Sequence, residues 1–174
     1  ATNAQGCDSA PISIPVNIAS LPDADAGADP AICPGSSTLV GGAPTGPPGS
    51  TDVWSPNVNL SATNVANPSA SPITTQQYIV EVSNSGCVSR DTVIVTVNQP
   101  QVEAGVGAAF CVGGGAQLNA TSNGGTYAWS PSNGLSATDV ADPIASPVLT
   151  TTYSVTLTDA IGCNATDSVT VTVN

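Results

Sequence analysis

The 174-residue chain contains no lysine, no histidine and no methionine, and its one basic residue, Arg90, stands against twelve acidic ones for a net charge of −11. Each absence removes a class of chemistry. A nucleic-acid surface needs clustered cations that release counterions from phosphate, and a single arginine supplies no cluster. Anionic membrane surfaces are excluded on the same ground. Without lysine there is no Schiff-base amine and no lysine-derived isopeptide staple; without histidine there is no imidazole base or ligand. No stretch approaches the roughly 20 apolar residues of a membrane span, and no basic-then-apolar leader opens the chain. The sequence reads as exported material that does not insert in a membrane.

What is present is Ala, Val and Thr. Hydrophobic residues make up 40% of the chain although aromatics are only 3% and charged residues 7%. Disordered chains pair high net charge with few β-branched residues, whereas here Val and Thr alternate in runs, so the chain is expected to fold.

Self-comparison settles the organisation. Asp25-Ala-Gly27 followed by Ile32-Cys33 returns 78 residues later as Glu103-Ala-Gly105 followed by Phe110-Cys111. Trp54-Ser-Pro56 and Leu60-Ser-Ala-Thr63 return 75 residues on, as Trp129-Ser-Pro131 and Leu135-Ser-Ala-Thr138. Val65-Ala-Asn-Pro68 returns as Val140-Ala-Asp-Pro143, Tyr78 as Tyr153, and Gly86-Cys87 as Gly162-Cys163. Two full copies therefore occupy residues 23–98 and 99–174. Gly6-Cys7 and Ile12 to Asn17 align with the last strand of each copy, so residues 1–22 read as the final strand of a preceding repeat whose body is absent.

Within each copy the periodicity is that of strands. Val169-Thr-Val-Thr-Val173 places three Val on one face and two Thr on the other, as a half-buried strand requires. Tyr153-Ser-Val-Thr-Leu157 does the same, and the residues between these runs tolerate the positive φ of a hairpin. Earlier strands are expected at Ser37 to Gly41, Asp52 to Ser55, Gln117 to Thr121 and Thr126 to Ser130, and no window carries a helical stripe free of Gly or Pro. The expected fold is all-β: two tandem small antiparallel sandwiches preceded by one strand.

Five cysteines punctuate this plan. Repeat logic pairs Cys33 with Cys87 and Cys111 with Cys163, at separations of 54 and 52 residues, each worth roughly 4 kcal/mol in the chain-entropy account. Such bonds imply an oxidising, extracellular compartment. No CxxC occurs, which with the lack of histidine argues against zinc. Cys7 is left over, its natural partner being a cysteine of the preceding repeat or of another chain.

The ordered string D/E-A-G, I-C-P-G-S-S, W-S-P, L-S-A-T, A-S-P, T-T-T-Y and G-C-N-A-T-D-S-V-T-V-T-V-N resembles the tandem Ig-like, PKD-like repeats of very large surface and gliding-motility-associated secreted proteins of Bacteroidota-type bacteria. The resemblance covers both full copies and, less closely, the first 22 residues. It implies an extracellular spacer or adhesive module with no catalytic residues. The second copy departs from it at Cys111-Val-Gly-Gly-Gly115, where Pro-Gly-Ser-Ser is expected.

Three candidate sites remain, each with a plainer alternative. Asp23, Asp25 and Asp29 gather where the first copy begins and offer oxygens to Ca²⁺, or else form a solvated acidic linker; no other cofactor is implied. Asp8-Ser9-Ala10, Asp91-Thr92-Val93 and Asp167-Ser168-Val169 look like the O-glycosylation pattern of the same bacterial group, at Ser9, Thr92 and Ser168, or else are turn chemistry ahead of a strand. Trp54 and Trp129 invite sugar stacking, but one Trp per sandwich belongs in the core, packed over a disulfide.

The function these features favour is structural: a semi-rigid repeat in the stalk of an extracellular filament or cell-surface adhesin, touching copies of itself, adjacent repeats or surface glycans. The segment Ile12 to Ile18 either joins a neighbouring subunit by strand addition or is cut from a longer array. The alternative is a polysaccharide-binding accessory module of a secreted enzyme. An enzyme in its own right would need a carboxylate pair such as Asp139 with Asp142, which lie in a Pro-containing turn without a supporting group.

Overall fold

A computed structural model of the chain describes residues 4–6, 13–15 and 18–174. Six strands build the first module: β1 (Ala31–Ile32), β2 (Thr38–Leu39), β3 (Thr51–Ser55), β4 (Ser69–Ala70), β5 (Gln76–Asn84) and β6 (Cys87–Val97). Eight build the second: β7 (Val102–Glu103), β8 (Ala108–Phe110), β9 (Ala116–Gln117), β10 (Thr121–Ser122), β11 (Thr126–Ser130), β12 (Ile144–Ala145), β13 (Thr151–Thr158) and β14 (Asn164–Val173). No helix occurs among the described residues.

Each module is a sandwich of one four-stranded and one two-stranded sheet, and the second module adds a two-stranded β7-β10 sheet. The larger runs β1-β6-β5-β3 in the first module and β8-β14-β13-β11 in the second; β2 with β4, and β9 with β12, pair across from it. The alternating runs explain the larger sheets. Tyr153, Val155 and Leu157 of β13 and Val171 of β14 are fully buried while the residues between them face outward. Tyr78, Val80, Val82, Val93 and Val95 repeat the pattern in β5 and β6. At about 1.5–3 kcal/mol per fully buried aliphatic or aromatic side chain, these two strands supply about half of each module's core.

The hairpins close as the positive-φ residues require. Ser85 and Gly86 take φ of 50° and 81° between the paired Asn84 and Cys87. The segment Gln117 to Thr121, read from the sequence as one strand, is broken. Ala116–Gln117 pairs with β12 and Thr121–Ser122 with β7. Between them Leu118 and Ala120 donate to the carbonyls of Pro143 and Ala141, so the segment changes partner part-way.

The repeated motifs fold over the two tryptophans. Trp54 and Trp129 are 2% and 4% exposed, and their Nε1–H groups donate to the carbonyls of Val65 at 3.0 Å and Val140 at 2.9 Å. Their backbone N–H groups donate to Thr63 and Thr138, the last residues of the two L-S-A-T runs. The Trp residues are thus core residues, but no disulfide lies within either module for them to pack over.

Of the segment Ile12 to Ile18, only residues 13–15 and 18 are described; none is in a strand, and Ile14 and Ile18 are exposed. A lone strand has no ladder to join without a sheet beside it. Ile12 and residues 16 and 17 lie outside the described residues, as do Cys7, Asp8 and Ser9.

Candidate functional site

The disulfide pairing differs from the one expected. Cys33 is bonded to Cys163 of the other module, with S–S 2.07 Å and Cα–Cα 5.2 Å across 130 residues of sequence. Cys87 and Cys111 are unbonded. The reason lies in strand direction. β1 runs parallel to β6 and pairs Ala31 with Thr96 and Ile32 with Val97, at the far end of β6 from Cys87. Ten residues of extended strand separate the two ends, about 33 Å, against the ~7 Å that a disulfide spans between Cα atoms. β8 lies parallel to the end of β14 in the same way, pairing Phe110 with Val173, so Cys111 is as far from Cys163. Neither intramodule bond can close. The first cysteine of one module instead faces the hairpin cysteine of the next.

Around this bond the joint is held by amides. Asn98 Nδ2 donates to Asp159 Oδ2 at 3.1 Å, bridging the end of β6 to the hairpin that carries Cys163. Asn123 Nδ2 donates to the Gln99 carbonyl at 3.0 Å while its Oδ1 accepts the Gln101 N–H at 2.9 Å. The linker 98–101 is therefore clasped by the bend between β10 and β11 of the second module rather than left free. Gln99 Nε2 reaches back to the Ile73 carbonyl at 3.2 Å. Asp159 also orders its own hairpin, Oδ1 accepting the N–H groups of Ile161 at 3.0 Å and Cys163 at 2.8 Å. Burial pushes the Asp159 carboxyl up, but the N–H of Cys163, the Asn98 amide and the N–H groups of Ile161 and Gly162 outweigh it and hold it below its ordinary 3.8.

The other sequence candidates are placed as follows. Asp23, Asp25 and Asp29 are not brought together. Asp23 and Asp25 flank a small concavity with Pro44 and Pro47. Asp25 Oδ1 accepts the Gly27 N–H at 2.8 Å, and Asp29 Oδ1 accepts the Ile94 N–H at 2.8 Å. Asp25 and Asp29 are thus each engaged by a separate backbone donor, and among the described residues no group of three carboxylate, thiol or imidazole side chains comes together around a metal position. Thr92 and Ser168 are exposed on the outer faces of β6 and β14. Asp142 is engaged with the amide of Gln117. A concavity of about 560 Å³ on the second module is lined by Gln101, Glu103, Thr121 and Asn123, with one carboxylate and no aromatic ring.

Two placements go beyond the sequence reading, which takes the D-[S/T]-V triplets as glycosylation acceptors or turn chemistry and gives the two tyrosines no partner. Asp91 and Asp167 each reach back to the start of their own module, Oδ2 accepting the N–H of Ala26 at 2.8 Å and of Ala104 at 2.7 Å. The shared D-[S/T]-V triplet thus marks a clamp. Tyr78 and Tyr153 are fully buried and donate to the carbonyls of Val58 and Asn133, 20 residues upstream in both modules. Matching offsets in the two copies were the available signal.

Neither a protein-family model nor a curated protein matches the sequence. Solved structures that resemble the fold include the I-band fragment I67–I69 of titin, at TM-score 0.54 and 13% identity over 90% of this chain and 66% of that fragment. DIP-gamma IG1+IG2 aligns at TM-score 0.48 and 13% identity over 89% of this chain and 98% of that one. At such identity the titin likeness speaks for the fold alone. The chain is a pair of tandem Ig-like β-sandwiches.

Proposed function

We propose that the chain is a structural module of an extracellular filament or cell-surface adhesin, of the kind found in the large surface proteins of gliding bacteria that its motifs resemble. The observation that carries this reading is the bond between Cys33 and Cys163, which is spent on the joint between modules rather than on either core. A disulfide inside a sandwich stabilises a fold; one between sandwiches fixes an angle and shares tension. With β6 at 11 residues, each module extends about 36 Å along its strands. The clasped linker and the staple make two such units one semi-rigid rod. A disulfide also fits an oxidising compartment outside the cell. The exposed hydroxyls of Thr92 and Ser168 are where sugars would coat a surface with so few charges.

The polysaccharide-binding alternative draws no support from the tryptophans, since both are enclosed in the cores. Small-angle scattering tests the structural reading. The oxidised chain should give a narrow range of maximum dimension, and reduction or C163A should broaden it while the circular dichroism of the sheets stays unchanged. A free Cys33 thiol in the oxidised chain, or profiles that reduction leaves identical, would sink the reading.

A further inference from the structure

The bond between Cys33 and Cys163 joins the segment that enters the first module to the strand that leaves the second, and both are already stretched. Residues 26–32 run beside β6 at a constant offset of 65: Asp91 accepts the N–H of Ala26, Asp29 accepts that of Ile94, and Ala31 and Ile32 pair with Thr96 and Val97. A segment that keeps step with a strand residue for residue has the strand's own rise. It reaches the joint at Cys33. From Cys163 the chain continues as β14, 10 residues long, which crosses the second module between β13 and β8. A strand rises about 3.3 Å per residue, within about a tenth of the most that a fully extended chain can span.

Nearly everything else in the two cores lies between the bonded cysteines. Residues 34–162 contain β2 to β13, the linker 98–101 and both tryptophans. Without the bond, tension along the chain runs through these residues in series, and each module can be drawn out to the full length of its sequence. With it, the covalent route across the pair passes directly from Cys33 to Cys163. That holds wherever in a longer chain the pull originates, provided it enters before Cys33 and leaves after Cys163.

We propose that this bond gives the chain a further function, as a tie under tension: load is carried by residues 26–33 and β14, while residues 34–162 are shielded from it and hold a reserve of length. The inference rests on the structural reading above and gives its staple a mechanical role. Two features suit the route to load. The hydrogen bonds from β14 to β13 and β8, and from residues 26–32 to β6, lie across the direction of pull, so they are strained together instead of being opened one at a time. Because the route is already extended, losing these bonds lengthens it little. The reserve is 130 residues of sequence, about 450 Å when drawn out.

The test is single-molecule stretching of the full chain, with C7A, C87A and C111A removing the other thiols and a handle fused at each end. Dithiothreitol opens the remaining bond by exchange: its two thiols give two electrons and two protons to Cys33 and Cys163 and close to a cyclic disulfide. The reduced chain should draw out about 450 Å further than the oxidised one, and C33A should match the reduced chain without any reductant. An insertion of about ten Gly and Ser residues after Gly49, in an exposed turn of the first module, should add about 35 Å to the reduced chain and nothing to the oxidised one. An oxidised chain that extends as far as the reduced one, or that lengthens with the insertion, overturns the tie. The Cys33–Cys163 peptide is read in a digest of the same oxidised sample. Where it is present and the tie fails, the bond yields under load and the structural reading stands; where it is absent, both fall.

Discussion

Asp167 reaches back across 63 residues to accept the backbone N–H of Ala104 at 2.7 Å, and Asp91 does the same for Ala26 in the first module. The second residue of each D/E-A-G motif is thereby tied to the last strand of its own sandwich. The following glycine is required by a different neighbour: Gly105 has φ of +85°, and a Cβ there would lie 2.7 Å from the Asn119 carbonyl oxygen. D167A is expected to lower the melting temperature of the second module, whereas S168A, at its exposed neighbour, leaves it unchanged. Thermal unfolding followed by Trp129 fluorescence checks the contrast.

Acid should unfold the chain through this clamp and the joint. Asp167 is held below its ordinary 3.8 by the N–H groups of Ala104 and Ser168, against an opposing push from burial; Asp159 is lowered too, its hydrogen bonds outweighing burial. The folded carboxylates hold their charge more tightly than the unfolded ones. Their stabilisation is therefore whole above the ordinary carboxylate range and lost as pH falls through it to the lower folded values. Melts between about pH 5 and pH 2 should fall more steeply for the parent than for D159N/D167N.

At the alkaline end the tyrosines dominate. Burial raises the Tyr78 and Tyr153 hydroxyls above their ordinary 10.0, so the neutral form is the folded one. Stability is intact below pH 10.0 and declines above it, as the unfolded chain ionises first. Y153F removes the bond to the Asn133 carbonyl, at a cost of about 1 kcal/mol at neutral pH, and should flatten the alkaline loss. Urea titrations at two pH values measure both.

Replacing Trp129 distinguishes a core residue from a binding platform. W129A should cost about 3–5 kcal/mol, and W129F a smaller amount through loss of the Nε1 bond to Val140. Equilibrium unfolding reads these costs. A soluble, fully stable W129A protein that has merely lost affinity for a polysaccharide would contradict the buried placement.

Reduction acts on the joint. In the chain-entropy account, the 130-residue closure contributes about 5 kcal/mol when both modules unfold together. Dithiothreitol should lower the midpoint of unfolding, and N98A or N123A should add to the inter-module disorder only after reduction, when the amides alone hold the linker. Paired scattering profiles with and without reductant show whether it does.

The sequence alone determined the two copies, their all-β character, the long hairpins and the burial of Trp54 and Trp129, because alternation of Val and Thr and spaced turn residues are local and repeat with the fold. The tertiary structure alone decided which cysteines meet. Repeat logic gives each cysteine a homologue but no direction, and the answer turned on β1 and β8 lying parallel to the ends of β6 and β14, which sends Cys33 away from Cys87 and onto Cys163. The same holds for Asp29 and Asp167: a carboxylate's sequence neighbours say that it lies near a turn, while the N–H it accepts comes from a strand or module start some 60 residues away. Contacts of that range depend on how sheets stack, and no local pattern encodes them.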